Sequence, residues 1–378
     1  MSSSALVSTK KYIDFLCDIC NMETPTHDKE RIDKMVDFIE GFAENEGYLV
    51  KRIPFKKAGD CLLITLEGDN SKSPALLMAH MDTVHPVVLF GESDFIKIKD
   101  DIIYGPGVQD CKGGIATALY CLERLKHEEN LRPVKLLLTS DEEVSAAFSG
   151  KEGVDLIKNT AKDCCAVLNL EAGGKQTVTV CRKGILKMQV EISGIAAHAG
   201  NAYFDGASAI KDAAHAILEI ESLSENGGIT YNCGVISGGT TINTVPASCV
   251  FKLDIRISTI DEMNFAEQKI HEICAKSAVL GTTRKATVLT KRPPMEITDK
   301  NLKLLELWNA CAKRVGAGEF KGATKGGGSD AAYSTMLGVP TLCSCAMEGF
   351  DAHAITEHAD LSTFKTRSDI ICEVIKSL

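Results

Sequence analysis

The chain has 378 residues, a formal net charge of −9 at pH 7 and 44% hydrophobic residues. A chain of this length can bury a sizeable core. It also exceeds the ~250–300 residues at which single cores stop growing, so we expect two domains rather than one. The acidic balance comes without a long basic run or a patch of interleaved aromatic and basic residues. This pattern argues against a nucleic-acid partner and favours small molecules or short peptides.

The sequence shows no pattern typical of export or membrane insertion. Residues 1–7 lack a basic segment followed by an apolar one, and no apolar stretch approaches the roughly 20 residues that span a bilayer. The 15 cysteines are scattered through predicted helices and strands, so we interpret them as reduced thiols. Cys17 and Cys20 form a C-x-x-C pair inside a predicted helix over residues 8–22, where packed thiols are favoured over a redox or zinc pair. We therefore expect a cytoplasmic protein without a membrane partner.

The first half of the chain alternates between predicted strands and predicted helices. Short, nearly continuous apolar runs predict strands over residues 62–66, 75–79, 134–138 and 166–170. Amphipathic patterns predict helices over residues 31–46 and 114–127. Buried strands that alternate with helices are typical of an α/β fold, here a central, mostly parallel sheet flanked by helices on both faces.

A different pattern begins at residue 185, where apolar and polar residues alternate strictly up to residue 192, as in a strand with one wet face. The elements predicted next are a helix over 207–223, strands near 229–236 and 248–257, a helix over 263–277 and a strand over 286–290. The order βαββαβ is that of a ferredoxin-like α+β sandwich.

Residues 291–294 contain two prolines in tandem and predict a return linker. The elements predicted after it are a helix over 302–315, a glycine-rich turn at 326–328, a helix from 330, a strand over 341–345 and a closing helix from 365. We therefore divide the chain into residues 1–184 and 292–378, the two parts of a catalytic domain, and residues 185–291, an inserted domain.

Five histidine and carboxylate residues together indicate a dinuclear metal site: His80, Asp110, Glu143, Glu171 and His353. The first four lie at or just past the ends of strand-like stretches, where ligands gather in open α/β sheets. Two divalent metals about 3.5–4 Å apart need a bridging carboxylate, with imidazole and carboxylate ligands on each side. A lone histidine or aspartate at a strand end is more often a capping residue. The argument therefore depends on the joint pattern.

Glu142 and Glu143 are adjacent carboxylates that would repel each other if buried without a cation. In an extended segment neighbouring side chains point in opposite directions, so one glutamate could bind metal while the other acts as general base and then acid. A solvated acidic turn is the alternative. Asp82 could accept the free N–H of the ligand His80 and fix its tautomer, or could serve as an ordinary turn cap.

Two glycine-rich loops lead into predicted helices. Residues 105–114 lack the spacing of a P-loop or a dinucleotide fingerprint, so we interpret this loop as a device that presents Asp110. Residues 326–330 could present backbone N–H groups to a substrate carboxylate, or could be a structural cap with Ser329 or Asp330. On pattern alone, His198, Asn243 and Arg256 of the inserted domain are surface residues.

Five motifs resemble those of a known family. They are H-M-D-T-V at 80–84, Y-G-P-G-x-x-D-x-K-G-G at 104–114, D-E-E at 141–143, G-x-A-x-H-A-G at 194–200 and G-G-G-S-D-A-A-Y at 326–333. Over nearly the whole chain, the sequence resembles the zinc-dependent carboxypeptidases of the aminoacylase and succinyl-diaminopimelate desuccinylase clan. Within that clan it most resembles the folate-cleaving glutamate carboxypeptidase type.

The resemblance implies two zinc ions, with cobalt or manganese as substitutes. Asp110 would bridge the ions, His80 and Glu171 would complete one site, and Glu143 and His353 would complete the other. It further implies that Glu142 is the general base and that the Asp110–Cys111 peptide is cis. Glutamate at 171, where the clan's aminopeptidases have aspartate, favours the carboxypeptidase or acylase side.

By the same resemblance, the inserted domain is a lid and dimerisation domain. His198 would polarise the scissile carbonyl and could reach across a homodimer. Asn243 and Arg256 would help hold the substrate's carboxylate, for which the loop at Gly328 is the further candidate given above. One departure concerns residues 144–150, which lack the compact Gly-Ser that usually follows D-E-E. This change leaves the substrate preference open.

We therefore expect a metallohydrolase that cleaves the amide bond before a C-terminal amino acid with a free α-carboxylate, with glutamate favoured. The alternative is an N-acyl amino acid amidohydrolase or a dipeptidase with the same site. A non-catalytic metal-binding or assembly protein on this scaffold is disfavoured, because every expected ligand and the base are present.

Overall fold

The structure is a computed structural model that describes residues 8–91 and 96–378, so the expectation for residues 1–7 lies outside the described residues. Its elements are, in chain order, α1 (Thr9–Asn21), α2 (Lys29–Asn45), β1 (Leu49–Ile53), β2 (Cys61–Leu66), β3 (Ala75–His80), β4 (Lys97–Lys99), β5 (Ile102–Tyr104), α3 (Lys112–Leu125), β6 (Val134–Thr139), α4 (Gly150–Ala161), β7 (Ala166–Asn169), β8 (Thr177–Arg182), β9 (Gly184–Ser193), β10 (Ala197–His198), α5 (Ala209–Glu221), β11 (Thr230–Gly238), β12 (Thr244–Val245), β13 (Ser248–Ile257), α6 (Ile260–Cys274), β14 (Thr283–Arg292), α7 (Asp299–Arg314), β15 (Lys321–Lys325), α8 (Ala331–Met336), β16 (Thr341–Leu342), β17 (Gly349–Phe350), β18 (His358–Asp360) and α9 (Ser362–Ser377).

The chain forms two compact units. The first comprises the described residues up to Val180 together with Ile297–Thr324 and Ser329–Leu378, and the second comprises Cys181–Glu296 with Lys325–Gly328. The second unit contains the whole of residues 185–291. Within the described ranges, none of the helices is long and apolar enough to span a bilayer.

The first unit is built on a six-stranded sheet in the order β1-β2-β6-β3-β7-β16. The pairs β1–β2 and β2–β6 are antiparallel, whereas β6–β3, β3–β7 and β7–β16 are parallel. All six residues of β3 are buried. The predicted central, mostly parallel sheet with helices is confirmed.

Helices cover both faces of this sheet, as the two sides of β3 show. Leu77 belongs to a large cluster with apolar residues of α1, α2, α3 and α9. Leu76 and Met78 instead pack with Ile157 and Ala161 of α4. Because successive side chains of a strand point to opposite faces, this division places a helical layer on each side of the sheet. Sequence analysis did not predict α4, although Gly153, Ile157 and Ala161 line its buried face.

The second unit contains a four-stranded antiparallel sheet in the order β11-β13-β9-β14. Apolar residues of β9 and β13 pack against α5 and α6, which gives the predicted βαββαβ order. The predicted start of α6 was three residues late. Thr259 and Glu262 form a capping box that begins the helix at Ile260. The predicted linker at 291–294 was partly wrong, because β14 stays paired with β9 up to Arg292.

Candidate metal centre

Three neighbouring parallel strands deliver candidate ligands to one edge of the first unit's sheet. His80 is the last residue of β3, the segment with Glu142 and Glu143 follows β6, and Glu171 lies two residues after β7. Because β6, β3 and β7 pair in parallel, their carboxyl ends meet at the same edge. The topology therefore brings together residues that are far apart in sequence.

Asp110 lies between two imidazoles. Its Oδ1 is 3.0 Å from Nε2 of His80, and its Oδ2 is 3.2 Å from Nε2 of His353. Each carboxylate oxygen thus faces a different histidine, as a carboxylate that bridges two metal ions must. The Asp110–Cys111 peptide bond is cis, as the resemblance implied.

Glu143 and Glu171 complete the cluster on opposite sides. Oε2 of Glu143 is 3.3 Å from Nε2 of His353, and Oε1 of Glu171 is 4.0 Å from Nε2 of His80. The other oxygen of Glu143, Oε1, is buried without a hydrogen-bond partner. A buried carboxylate oxygen without a donor is costly unless a cation neutralises it. This oxygen and the mixed imidazole and carboxylate donors fit divalent metal ions.

The charges of these groups are strongly coupled. Burial would raise the pKa of Asp110, but hydrogen bonds from His353 and His80 hold it well below its usual range. The same contacts with Asp110 and Glu143 raise the pKa of His353 to about 10. Burial raises the pKa of Glu143 to about 8. The carboxylates and imidazoles of this cluster therefore interact strongly with one another.

Asp82 contacts both His80 and the segment that carries the proposed base. Nδ1 of His80 lies 3.0 Å from the backbone oxygen of Asp82 and 3.3 Å from its carboxylate. That carboxylate accepts the backbone N–H groups of Glu142 and Glu143, at 3.1 and 3.2 Å, and the hydroxyl of Thr26 at 2.8 Å. Asp82 thus contacts a candidate ligand and fixes the backbone of both glutamates, a wider role than the predicted acceptor for the N–H of His80.

The predicted extended backbone at Glu142 and Glu143 was wrong. The residues Glu142–Val144 form a single 3-10 turn. The backbone N–H groups at the start of this turn have no partner within it, and the carboxylate of Asp82 satisfies two of them. Asp82 can therefore lie beside the two glutamates, because its carboxylate binds their backbone N–H groups and not their side chains. The alternation of side chains along a strand could not reveal this contact.

The unusual segment after Glu143 is a compact turn closed by Asp141. The carboxylate of Asp141 accepts the N–H groups of Phe148 and Ser149, at 3.0 and 2.7 Å, and the hydroxyl of Ser149 at 2.9 Å. Ser145 and Ala146 have positive φ angles of 59° and 58°. Asp141 therefore shapes the loop that follows Glu142 and Glu143.

His353 differs from the other candidate ligands in exposure and backbone conformation. Its side chain is 53% exposed, whereas that of His80 is 2% exposed. Its φ angle of 66° lies in the left-handed region, which costs about 1–3 kcal/mol for a residue other than glycine. Histidine is among the residues enriched in this region. The loop around His353 therefore turns the imidazole towards Asp110 and Glu143 at an energetic cost.

In the second unit, His198 and Asn243 come from neighbouring segments. His198 pairs with Thr244 across β10 and β12, and the N–H of Ala199 donates to the backbone oxygen of Asn243. Nδ1 of His198 accepts the N–H groups of Gly200 and Asn201, both at 3.1 Å. A neutral imidazole with an accepting Nδ1 carries its proton on Nε2. The exposed ring of His198 is therefore a hydrogen-bond donor at Nε2.

Arg256 and Gly328 also belong to the second unit. Arg256 forms a two-point ion pair with Asp254 and donates to the backbone oxygen of Gly326 at 3.1 Å. A Cβ atom on Gly328 would lie 3.0 Å from Cδ of the Arg292 side chain, so this glycine allows the arginine a tight approach. Both positions thus have a structural role in addition to the predicted contact with a carboxylate.

Sequence reasoning missed several residues that shape this centre. Cys111 lies beside His80 and Glu171, and its Sγ is close enough to their side chains to act with them as a metal ligand. Its thiol donates to the backbone oxygen of Leu170 at 3.2 Å, and burial holds its pKa well above the usual range. His85 and Glu357 form a buried pair beneath the loop that carries Asp110. The only available signal was their spacing, five residues after His80 and four after His353.

Known proteins resemble this chain over most of its length. Carboxypeptidase G2 of Pseudomonas sp. (strain RS-16) is 30% identical over 371 residues, covering 95% of this chain and 87% of that protein. A succinyl-diaminopimelate desuccinylase of Ehrlichia ruminantium (strain Welgevonden) is 24% identical and covers 74% of each chain.

Solved structures share the fold. A tripeptidase of Staphylococcus aureus has a TM-score of 0.80 at 21% identity, with 99% of each chain covered. The M20 family metallo-carboxypeptidase Sso-CP2 of Sulfolobus solfataricus has a TM-score of 0.76 at 17% identity, covering 97% of this chain and 98% of that one. The profile of Peptidase family M20/M25/M40 matches residues 76–377. This match includes every candidate ligand of the centre, and the chain therefore belongs to the peptidase family M20/M25/M40, a family of hydrolytic enzymes.

Proposed function

We propose that this enzyme is a dinuclear metal-dependent hydrolase that cleaves the amide bond before a C-terminal amino acid with a free carboxylate, with glutamate favoured. The observation that carries the proposal is Asp110, whose two oxygens face His80 and His353 at 3.0 and 3.2 Å. The partnerless Oε1 of Glu143 supports it. Carboxypeptidase G2, the relative at 30% identity, supports the carboxypeptidase assignment.

In this proposal the ligands divide into two sets that share Asp110. His80 and Glu171 hold one ion, and Glu143 and His353 hold the other. Imidazole and carboxylate donors suit zinc, with cobalt or manganese as substitutes. A family relative, the YXEP protein of Bacillus subtilis, is described as a dinuclear metal binding peptidase. When bound, the ions would polarise the scissile carbonyl and make a water molecule more acidic.

Glu142 is the proposed general base. It follows Asp141 in a buried position, and its backbone is held by Asp82. It would accept a proton from the attacking water and return that proton to the nitrogen of the leaving amino acid as the amide C–N bond breaks. The products are a carboxylic acid and a free amino acid, so one base serves both proton transfers.

His198 is the proposed donor to the carbonyl oxygen. Because its Nδ1 accepts two backbone N–H groups, its Nε2–H is available to stabilise the negative charge that develops on that oxygen. Asn243, Arg256 and the backbone around Gly328 are the proposed partners of the substrate's α-carboxylate. Arg256 is already paired with Asp254, so it would share its charge between that residue and the substrate.

The second candidate is an N-acyl amino acid amidohydrolase or a dipeptidase that uses the same centre. The desuccinylase relative favours the first of these, and the di-peptidase Dug1p of Saccharomyces cerevisiae shares the fold with a TM-score of 0.70. Both candidates use the same bond chemistry and differ in the acyl group. The turn over residues 144–150 is a candidate determinant of acyl-group preference, because it follows Glu142 closely in sequence.

We further propose a cytoplasmic enzyme whose partners are small molecules or short peptides, without nucleic-acid or membrane partners. A homodimer through the second unit is part of this proposal, because by the family resemblance that unit serves as a lid and dimerisation domain. Sedimentation velocity at several protein concentrations would test the dimer.

The experiment that tests the function is release of free amino acid from a panel of N-benzoyl-glutamate, N-acetyl amino acids and dipeptides. Metal-stripped protein would be assayed with and without Zn²⁺, with Glu142→Ala as the control. Zn²⁺-dependent release of glutamate, absent in the variant, is the expected result. Release of a different amino acid would keep the mechanism and change the preferred substrate, whereas a preference for N-acetyl amino acids or dipeptides over N-benzoyl-glutamate would move the assignment to the second candidate. No hydrolysis of any amide would contradict the proposed function.

A further inference from the structure

Glu357 is a buried carboxylate that lies in one loop of the first unit and contacts two others. It is 1% exposed and lies four residues after His353. We propose that Glu357 is a positioning residue that fixes the loop after His80 and the loops bearing Asp110 and His353 in their metal-binding geometry before any metal is bound. This inference rests on the proposed function, in which those three residues are ligands.

The loop that presents Asp110 is tied to Glu357 by three backbone hydrogen bonds. Oε1 of Glu357 accepts the N–H groups of Gln109 and Asp110, at 3.0 and 3.2 Å, and Oε2 accepts that of Gly107 at 3.1 Å. The backbone oxygen of Glu357 also accepts the N–H of Gly105 at 3.2 Å. The backbone of the bridging residue itself is therefore held by this carboxylate.

The loop that follows β3 reaches the same carboxylate through His85. Nε2 of His85 lies 2.6 Å from Oε2 of Glu357, and the imidazole is 3% exposed. His85 comes five residues after His80, and Glu357 comes four residues after His353. One carboxylate thus joins the loops of three proposed ligands, although none of the bonds involves a ligand side chain.

Glu357 is placed to orient ligands and is not itself a ligand. An ionised carboxylate has about four acceptor sites, and four donors fill them here: three backbone N–H groups and one imidazole. A saturated, buried carboxylate of this kind stabilises one loop geometry, since any other arrangement leaves donors without partners.

Glu357→Gln is the variant that tests this role. The change keeps the shape of the side chain but replaces one oxygen with an NH₂ group. If His85 changes tautomer, its ring nitrogen can accept one hydrogen of the new NH₂ group. The other hydrogen of that group then faces a backbone N–H group, which cannot accept it. Partners that orient metal ligands typically change metal affinity by about 10–100-fold, and we expect a loss of Zn²⁺ affinity in that range.

Zn²⁺ affinity is measured by competition with a chromophoric chelator, and the visible spectrum of the Co²⁺ form reports coordination geometry. The matched control is Asp60→Asn, which alters a buried carboxylate of the same unit that accepts the N–H of Phe55 and pairs with Lys29 and Arg52. Both variants should lower the melting temperature, but only Glu357→Gln should weaken Zn²⁺ binding and change the Co²⁺ spectrum. Unchanged Zn²⁺ affinity in Glu357→Gln would overturn the proposal and leave a purely structural role.

A measurement on the unmodified protein covers the case in which the variant does not fold. In metal-free wild-type protein, the amides of Gly107, Gln109 and Asp110 should be protected from hydrogen exchange, because Glu357 holds them without metal. Protection that develops only after Zn²⁺ is added would overturn the proposal. Two bound Zn²⁺ ions without hydrolysis of any amide would defeat the proposed function and leave this inference standing, whereas a wild type that binds no Zn²⁺ would overturn both.

Discussion

The carboxylate of Asp82 accepts the backbone N–H of Glu142 at 3.1 Å, so a residue two positions after the candidate ligand His80 also fixes the proposed base. Asp82 is fully buried and accepts the N–H of Glu143 as well. The first half of the centre and its base are therefore one hydrogen-bonded assembly, and the geometry of the base should depend on Asp82 directly.

Asp82→Asn should lower kcat/KM by about 10–100-fold, the range typical of residues that orient ligands. The amide presents an NH₂ group where a backbone N–H now finds an oxygen, so the turn at Glu142 should shift. Steady-state kinetics at saturating Zn²⁺ measure the effect. Asp60→Asn is the control, because Asp60 is a buried carboxylate of the first unit that accepts the backbone N–H of Phe55 and lies outside the candidate centre. Equal losses in both variants would indicate general destabilisation.

Glu142→Ala should reduce turnover by about 10²–10⁴-fold, the usual contribution of a general acid–base, while metal content stays near that of the wild type. Glu143→Ala should instead lose metal, because Glu143 contacts His353 within the cluster. Metal content is measured by elemental analysis of gel-filtered protein. Loss of metal from Glu142→Ala would contradict the division of roles between these two adjacent residues.

The sequence was sufficient to predict the strands that carry the centre. The apolar runs of β3, β6 and β7 are short and continuous, and polar residues follow them at once, so both the sheet and its functional edge could be predicted. In the second unit, strict alternation along β9 predicted a strand with one wet face, and its apolar residues pack in one cluster with those of α5 and α6. The local sequence pattern was enough to predict an element wherever burial followed a single regular pattern along the chain.

The sequence was insufficient where the conformation depends on partners distant in the chain. The turn at Glu142 is fixed by Asp82, which lies 60 residues away, and Glu357 binds Gly107 across 250 residues. Short strands such as β17 and β18 lack enough residues to show a period. The left-handed backbone of His353 is likewise set by its surroundings, since no glycine marks the position.

His198→Ala should lower kcat by about 10²–10³-fold, as loss of a donor to an oxyanion does, without loss of bound metal. The reason is its Nε2–H, which the two backbone bonds at Nδ1 leave available. His215→Ala, which changes an exposed histidine on α5 of the same unit, is the control and should keep full activity. If His198→Ala raised KM and left kcat unchanged, the residue would bind substrate without acting on the transition state.

Arg284→Met should destabilise the second unit strongly. Arg284 and Asp212 form an ion pair at 2.8 Å in which both side chains are almost completely buried. Removing one partner leaves an uncompensated charge, which costs about 3–5 kcal/mol. The pKa of Asp212 is lowered because the contacts with Arg284 and a backbone N–H outweigh the effect of burial.

A lowered pKa means that the stability from Asp212 is present above the ordinary carboxyl range and is lost as the pH falls through the folded-state value. The difference in melting temperature between wild type and Arg284→Met should therefore be large at pH 7 and shrink in strong acid. Circular dichroism melts across this range measure it. A difference that stays constant with pH would show that lost packing of the arginine side chain, rather than its charge, is responsible.

Removing metal should destabilise the first unit for two reasons. Chelation leaves the buried oxygen of Glu143 without a partner, and it leaves the clustered carboxylates without the cations that would neutralise them. Zn²⁺ at 100 times its dissociation constant would stabilise the folded state by about 2.7 kcal/mol if it binds only that state. Melting curves of chelator-treated protein with increasing Zn²⁺ test this. Glu143→Gln should show a smaller rise in melting temperature at each Zn²⁺ concentration, because its amide is a weaker ligand than a carboxylate. A rise equal to that of the wild type would remove Glu143 from the set of ligands.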